Sequence, residues 1–213
     1  PIAAGGEWQQ GQWQNADALA LQAASRIALP YTQINPIALA PAIAPHIAAA
    51  AQGQPLNVAQ LTPLMPAHAM AQADLCLVEG AGGWRLPLND DQTLAEWVRQ
   101  CQWPVVLVVG MKLGCLNHAL LTAEAIIADG VRLVGWIANH VDATMSHYQE
   151  NLASLQRMLP VPMLAEVPFL AQPDGQHAAP FLRSAAAHLQ QPLMLDSGEH
   201  SEAEMNVVQP QMA

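Results

Sequence analysis

Four short aliphatic runs constrain the fold of this chain more than any other feature. They are Leu75–Glu79 (LCLVE), Val105–Gly110 (VVLVVG), Leu133–Ala138 (LVGWIA) and Met163–Val167 (MLAEV), each bounded by glycine, proline or asparagine. Apolar runs of this length without polar alternation fit strands covered on both faces. Helical stretches lie between them, at about 58–73, 94–101, 116–129 and 144–159, and Leu116, Leu120, Ala123 and Ile127 trace the clearest apolar stripe. Strand and helix in alternation, joined by short connections, predict an α/β fold with a parallel sheet flanked by helices and right-handed crossovers. At the front, a helix is expected from Asn15 or Asp17 with Asn15 as its N-cap, and no strand before it. The Pro/Ala-rich stretch 36–54 reads as a loop with one short helix around His46–Ala51. From Ser184 onward come four acids (Asp196, Glu199, Glu202, Glu204) and no Lys or Arg. That divides the chain into a domain over 1–183 and an acidic, disordered tail over 184–213.

Charge narrows the function classes. Seven Lys+Arg against seventeen Asp+Glu leave a net charge of −10, and Lys112 is the single lysine. Phosphate-backbone binding needs clustered cations, so nucleic acid is an unsuitable partner, and an anionic membrane surface is equally so. No apolar run reaches the ~18 residues needed to cross a bilayer. The segment PIAAGGEWQQ has no cationic start followed by an apolar stretch, so no signal peptide is expected. Cys76, Cys101 and Cys115 are odd in number, widely spaced and set among apolar residues, as expected of reduced thiols in a cytoplasmic protein. The eight histidines show no zinc-type spacing.

Ligands of open α/β sheets bind beyond the carboxyl ends of the strands. The run LCLV ends in Glu79, and three of the next four residues (Gly80, Ala81, Gly82, Gly83) are glycine. A carboxylate there can hold Mg²⁺, and the glycines let backbone N–H groups approach a phosphate or carboxylate oxygen. The plain alternative is a tight turn with Glu79 in solvent. A second cluster, Gly110–His118, places Gly114, Cys115 and Asn117 at a helix start, where an anion is favoured and Lys112 could add charge; a glycine turn accounts for it equally well. Asn139 closes a third strand, where its amide could read a base edge or bond local backbone. Asp17 at a helix start reads by itself as a dipole interaction. Asp90 and Asp91, ahead of Thr93, read as helix caps. No Gly-x-x-x-x-Gly-Lys-[Ser/Thr] run occurs, although a nucleotide-binding sheet of this kind normally carries one after its first strand.

The segments together resemble the dethiobiotin synthetase family, in order from Pro1 to about Leu182. The matching stretches are PIAAG at 1–5, NADALAL at 15–21, INP to PHIAA over 34–49, LVEGAGGWRLPL at 77–88, LAEWV at 94–98, PVVLVVGMKLGCLNHALLTAEAI at 104–126, GWIAN at 135–139 and AEVPFL at 165–170. The resemblance implies a P-loop NTPase-like fold that, in this chain, lacks the first strand and the P-loop. The family's catalytic lysine would precede Pro1, so the chain is expected to be N-terminally incomplete and, by itself, impaired.

By resemblance the activity is that of a ligase. ATP, CO₂ and 7,8-diaminononanoate give dethiobiotin, ADP and phosphate, in a homodimer, with Mg²⁺ as cofactor. Carried over by position, Asp17 and Glu79 would hold the metal. The ATP site would comprise those two with Gly80, Ala81, Gly82, Asn139, His140, Pro168, Phe169, Leu170 and Asp174. His140 stands where the family has aspartate. Gly114, Cys115 and Asn117 would receive the carboxylate of the diamine across the dimer interface. Ala4 replaces a serine that contacts substrate in some relatives. Two rival expectations are a non-catalytic binding or dimerisation module derived from the family, and an ATP-dependent amide-forming relative.

Overall fold

The computed structural model describes residues 1–190. In chain order it contains β1 (Ile2–Ala4), β2 (Glu7–Gln9), β3 (Gln12–Gln14), α1 (Ala16–Ala24), α2 (Tyr31–Ile34), β4 (Ile37–Leu39) and α3 (Pro45–Ala51). A 3₁₀ turn at Val58–Gln60 leads into α4 (Leu61–Leu64), α5 (Ala67–Gln72) and α6 (Leu94–Cys101). There follow β5 (Val105–Met111), α7 (Cys115–Ala128), β6 (Leu133–His140), α8 (Tyr148–Met158), β7 (Met163–Val167) and α9 (Gly175–Gln190). The class is α/β, with parallel strands flanked by helices.

The second half follows the expected pattern. Strands β5, β6 and β7 lie side by side in chain order, all parallel. Their apolar residues and those of α7 and α8 form one core around Trp136, Met111, Ile126 and Leu155. Trp136 is 0% exposed. A Cβ at Gly135 would stand 2.5 Å from Leu164 Cγ, so only glycine admits that packing of β6 against β7. Helix α7 begins after Gly114, whose φ of +91° turns the chain sharply from the end of β5 into the helix. On β7, Leu164 and Ala165 pack against Ala185 of α9.

The first half departs from expectation in three places. Three strands precede α1: β1 pairs in parallel with β4, while β2 and β3 form an antiparallel hairpin. Each is three residues long, too short to show a period in sequence. The hairpin turns on Gln10 and Gly11, both at positive φ, and stacks Trp8 edge-on against Trp13 at 5.2 Å. Leu75–Glu79 forms no ladder with any described strand, so the parallel strands fall into two pieces rather than one sheet. Val78 of this stretch and Ala81 just beyond it pack onto a second core built around Ile2, Leu39, Leu61 and Trp97, while Leu77 is 71% exposed. The helix expected over 58–73 is broken into the 3₁₀ turn, α4 and α5. Pro63 and Pro66 lack the N–H that a continuous helix needs.

Two helix starts also differ. Asp142 accepts from the N–H and the hydroxyl of Thr144, a local turn that delays α8 to Tyr148. At α6 the N-cap is Thr93, whose N–H donates to Glu96, whereas Asp90 and Asp91 are exposed and do not cap. Asn15 caps α1 as expected, accepting from the N–H groups of Asp17 and Ala18. The boundary drawn between 183 and 184 falls inside α9, where Ser184 Oγ donates to the Leu164 carbonyl and Ala185 is buried. The rest of the expected tail, 191–213, lies outside the described residues.

Candidate active site

A cleft of about 140 Å³ opens where β1, the start of α1, the end of α2 and the 79–81 stretch meet. Asp17 reaches it from the first turn of α1, a position set by the Asn15 cap. Glu79, Gly80 and Ala81 form the opposite wall. Two acidic residues 62 positions apart in sequence (17 and 79) thus line one cleft. No group of three or more His, Cys, Asp or Glu side chains able to hold a metal occurs among the described residues. An all-oxygen pair without a third ligand suits a small hard cation that keeps several waters and takes phosphate oxygens, which is the habit of Mg²⁺. The residues present fit that ion.

The hydrogen bonds around this cleft are nearly all used internally. Asn15 donates through Nδ2 to the Ala4 carbonyl, and its own N–H donates to the Tyr31 hydroxyl at 2.8 Å. The Asn35 N–H donates to the Tyr31 carbonyl and closes α2. The Asn35 side chain is the exception. The residue is 4% exposed, lines the cleft, and its Oδ1 has no hydrogen-bond partner among the described residues. An acceptor left unpaired in this way costs about 1–3 kcal/mol.

The glycine loop after Glu79 is held at its far end. Trp84 Nε1 donates to Asp129 Oδ2 at 2.7 Å, and Arg85 grips both carboxylate oxygens of Asp129, at 2.7 and 2.9 Å. Burial alone would raise the pKa of Asp129, but the hydrogen bonds from Arg85 and Trp84 outweigh it and hold the carboxyl below its usual range. The clamp ties the loop to the end of α7. It does not stand out in sequence, because its partners lie more than forty positions apart.

A second group gathers at the carboxyl ends of β5, β6 and β7. Gly110 pairs with Asn139 and Met111 with His140, while Asn139 pairs with Val167. His140 stacks on Tyr148 with ring centroids 4.1 Å apart, and Phe169 meets the His140 ring edge-on at 6.1 Å. His140 Nε2 lies 2.9 Å from the Asp142 carbonyl. A carbonyl only accepts, so Nε2 carries the proton, and in the neutral ring Nδ1 is left as an acceptor. Tyr148 donates to Glu166 at 3.0 Å; burial and then the neighbouring Glu166 push its phenol well above the usual range, so it remains a donor.

Pro168 and Leu170 flank the exposed Phe169 at the end of β7. Gly114 and Asn117 are exposed at the start of α7, whereas Cys115 is buried in the core beneath. Only the backbone of Cys115 can therefore serve an anion there. Asp174 is engaged as a helix cap: it accepts from the His177 N–H at 2.9 Å and from the His177 ring at 2.8 Å. The His177 N–H first and the ring second lower its pKa. Gly82, at φ +70°, belongs to the glycine loop but does not line the cleft.

Comparison with known proteins agrees in one direction. A family model described as "AAA domain" matches residues 6–177. A protein of Alteromonas mediterranea named ATP-dependent dethiobiotin synthetase BioD is 53% identical over 179 residues, covering 79% of this chain and 77% of that protein. Proteins of the same name from Cellvibrio japonicus and Pseudomonas aeruginosa are 48% identical over 197 residues and 50% over 189. These two matches cover 92% and 89% of this chain, and 83% and 80% of the relatives. Among the described residues, no helix is long and apolar enough to cross a membrane.

Proposed function

Because the chain belongs to the ATP-dependent dethiobiotin synthetase family, we propose that it carries the cleft in which 7,8-diaminononanoate, CO₂ and ATP become dethiobiotin, ADP and phosphate. One amine of the diamine adds to CO₂ and loses a proton, giving a carbamate. A carbamate oxygen then takes the γ-phosphoryl group and ADP departs. The second amine attacks the activated carbonyl carbon, phosphate leaves, and the ureido ring closes. The observation that carries this reading is the convergence of Asp17 and Glu79, with Gly80 and Ala81, on one cleft.

Asp17 and Glu79 would hold Mg²⁺, which when bound neutralises charge on the phosphate oxygens. The backbone of Gly80, Ala81 and Gly82 approaches the nucleotide and the carbamate without side-chain obstruction. Asn139 reads the adenine edge through its amide. His140, Pro168, Phe169 and Leu170 form the wall of the base pocket. Asp174 keeps its Oδ1 on His177 and would serve the nucleotide through Oδ2. At the start of α7, Gly114, the Cys115 backbone and Asn117 receive the carboxylate of the diamine across a homodimer interface.

The enzyme is cytoplasmic in this reading. The catalytic lysine and the triphosphate cradle are not assigned to any of these 213 residues, which contain no Gly-x-x-x-x-Gly-Lys-[Ser/Thr] run. The 213-residue polypeptide by itself is therefore expected to turn over little.

The test is phosphate release that depends on both diaminononanoate and bicarbonate, measured with the natural polypeptide that carries these residues. Glu79→Gln or Asp17→Asn should lower the rate about 100-fold or more while far-UV dichroism stays unchanged. Absence of diamine-dependent release would overturn the reading. Diamine binding without turnover would favour the non-catalytic module.

A further inference from the structure

Tyr148 stands at the carboxyl ends of the strands with no part in the reaction proposed above. Along β6, Trp136 and Ala138 belong to the core shared with α7 and α8, while Ile137 packs with Ala185 of α9. Strand residues alternate between faces, so His140 falls on the α8 side. Tyr148, the first residue of α8, meets it there with the two rings stacked at 4.1 Å and 24°. The backbone passes through the left-handed region at His147 (φ +55°) to bring Tyr148 to that point, a conformation that a Cβ disfavours. The Tyr148 hydroxyl is anchored on Glu166 of β7, and burial helps to keep it protonated as a donor. His140 is fixed within its own plane by the contact of Nε2 with the Asp142 carbonyl. Its ring then meets Phe169 at 6.1 Å and 73°, within the range of a favourable edge-to-face pair.

We infer that Tyr148 is a positioning residue for the nucleotide base: anchored on Glu166, it holds His140 by stacking, and His140 steadies the Phe169 ring that meets the base. The inference rests on the base pocket proposed above and adds to it a residue behind the wall. Phe169 is 45% exposed, so a ring without a partner there would lose rotamer freedom when a ligand covers it. An edge contact with an imidazole already fixed in plane and rotation removes part of that cost before binding. The phosphates and the metal lie outside this column of side chains, so its effect is confined to the base.

Calorimetric titration of the natural polypeptide that carries these residues tests this, with Mg-ATP and separately with Mg-tripolyphosphate, both without diamine. The second ligand keeps the triphosphate chain and has no base. Tyr148→Leu should weaken Mg-ATP binding about three- to tenfold and leave Mg-tripolyphosphate binding within about twofold. Tyr148→Phe keeps the stacking ring and should hold Mg-ATP affinity within about twofold of the parent. Equal weakening toward both ligands in Tyr148→Leu would mean a structural role and overturn the inference. Unchanged Mg-ATP affinity in a folded Tyr148→Leu protein would overturn it too, and so would a loss in Tyr148→Phe as large as in Tyr148→Leu. Should Tyr148→Leu fail to fold, His140→Ala carries the test, because it removes the ring between Tyr148 and Phe169: the same selective loss supports the column, and unchanged Mg-ATP affinity refutes it. A parent that binds Mg-tripolyphosphate as tightly as Mg-ATP would overturn the base pocket itself and the inference with it. A parent that prefers Mg-ATP beside an indifferent Tyr148→Leu overturns the inference alone.

Discussion

Leu75–Glu79 and Val105–Met111 are both short aliphatic runs that follow a helical region and end beside a glycine-containing loop. The second is a seven-residue strand paired along its length with β6 and backed by α7. The first is extended in sequence character only: Val78 touches the core, Leu77 is 71% exposed, and no described strand bonds to it. Strand propensity measures how well a side chain suits a pleated, half-buried surface. A strand exists where a neighbour supplies the ladder, and the two runs differ in having that neighbour. The carboxylate proposed here to hold the metal, Glu79, stands at the end of the unladdered run. Its position is fixed instead by the packing of Val78 and Ala81 and by the Asp129 clamp on the loop beyond.

The largest effects should come from the laddered half. Trp136 is completely buried among α7, α8 and the strands, so Trp136→Ala should cost about 3–5 kcal/mol in a urea titration. Trp136→Phe should cost less than the usual core truncation, because Nε1 has no partner among the described residues and its removal leaves nothing unpaired. Next comes Gly135→Ala. The added methyl meets Leu164 on β7, and the β6–β7 pairing must yield, for a loss of about 1–3 kcal/mol. Equal melting temperatures for Gly135→Ala and its parent would show that β7 is not seated as described.

The same contrast explains what the sequence made legible. The three laddered strands, α6 and α7 were readable because each is long enough to show its period and each has local punctuation, such as Gly114 before α7. Glu79 stood out locally as an acid beside glycines, whereas Asp17 by itself read as a dipole interaction and its pairing with Glu79 came from the family resemblance. The three-residue strands β1 to β4 were not, since a ladder between residues 2–4 and 37–39 is decided by distant partners. Asp129 likewise gains its meaning from Trp84 and Arg85, more than forty positions away.

A smaller effect tests the joint between the halves. Asp129 on α7 holds Trp84 and Arg85 of the glycine loop, with Arg85 more than half exposed. Asp129→Asn should cost up to about 1 kcal/mol at neutral pH. The pKa of Asp129 is lower in the folded protein than usual, so its contribution is present above the ordinary carboxylate range and is lost as pH falls through the folded value. The parent should therefore lose more stability on acidification than Asp129→Asn. Parallel stability curves for the two proteins from neutral to acidic pH would show that the clamp is open in solution.

The smallest effect bears most directly on the contrast. Leu77 sits in the middle of an aliphatic run, and sequence reasoning alone would treat Leu77→Ser as a core mutation with a loss of about 2–5 kcal/mol. Its exposure says otherwise: with most of the side chain already in water, the change should stay within about 0.5 kcal/mol. Denaturant titration of Leu77→Ser beside Trp136→Ala puts the two halves on one scale. A small loss at Leu77 confirms that the run leading to Glu79 lacks a ladder and that the loop is held from its far end. A loss of about 2 kcal/mol or more would mean that Leu77 is covered in solution. The placement of Glu79 would then have to be derived from whatever covers it.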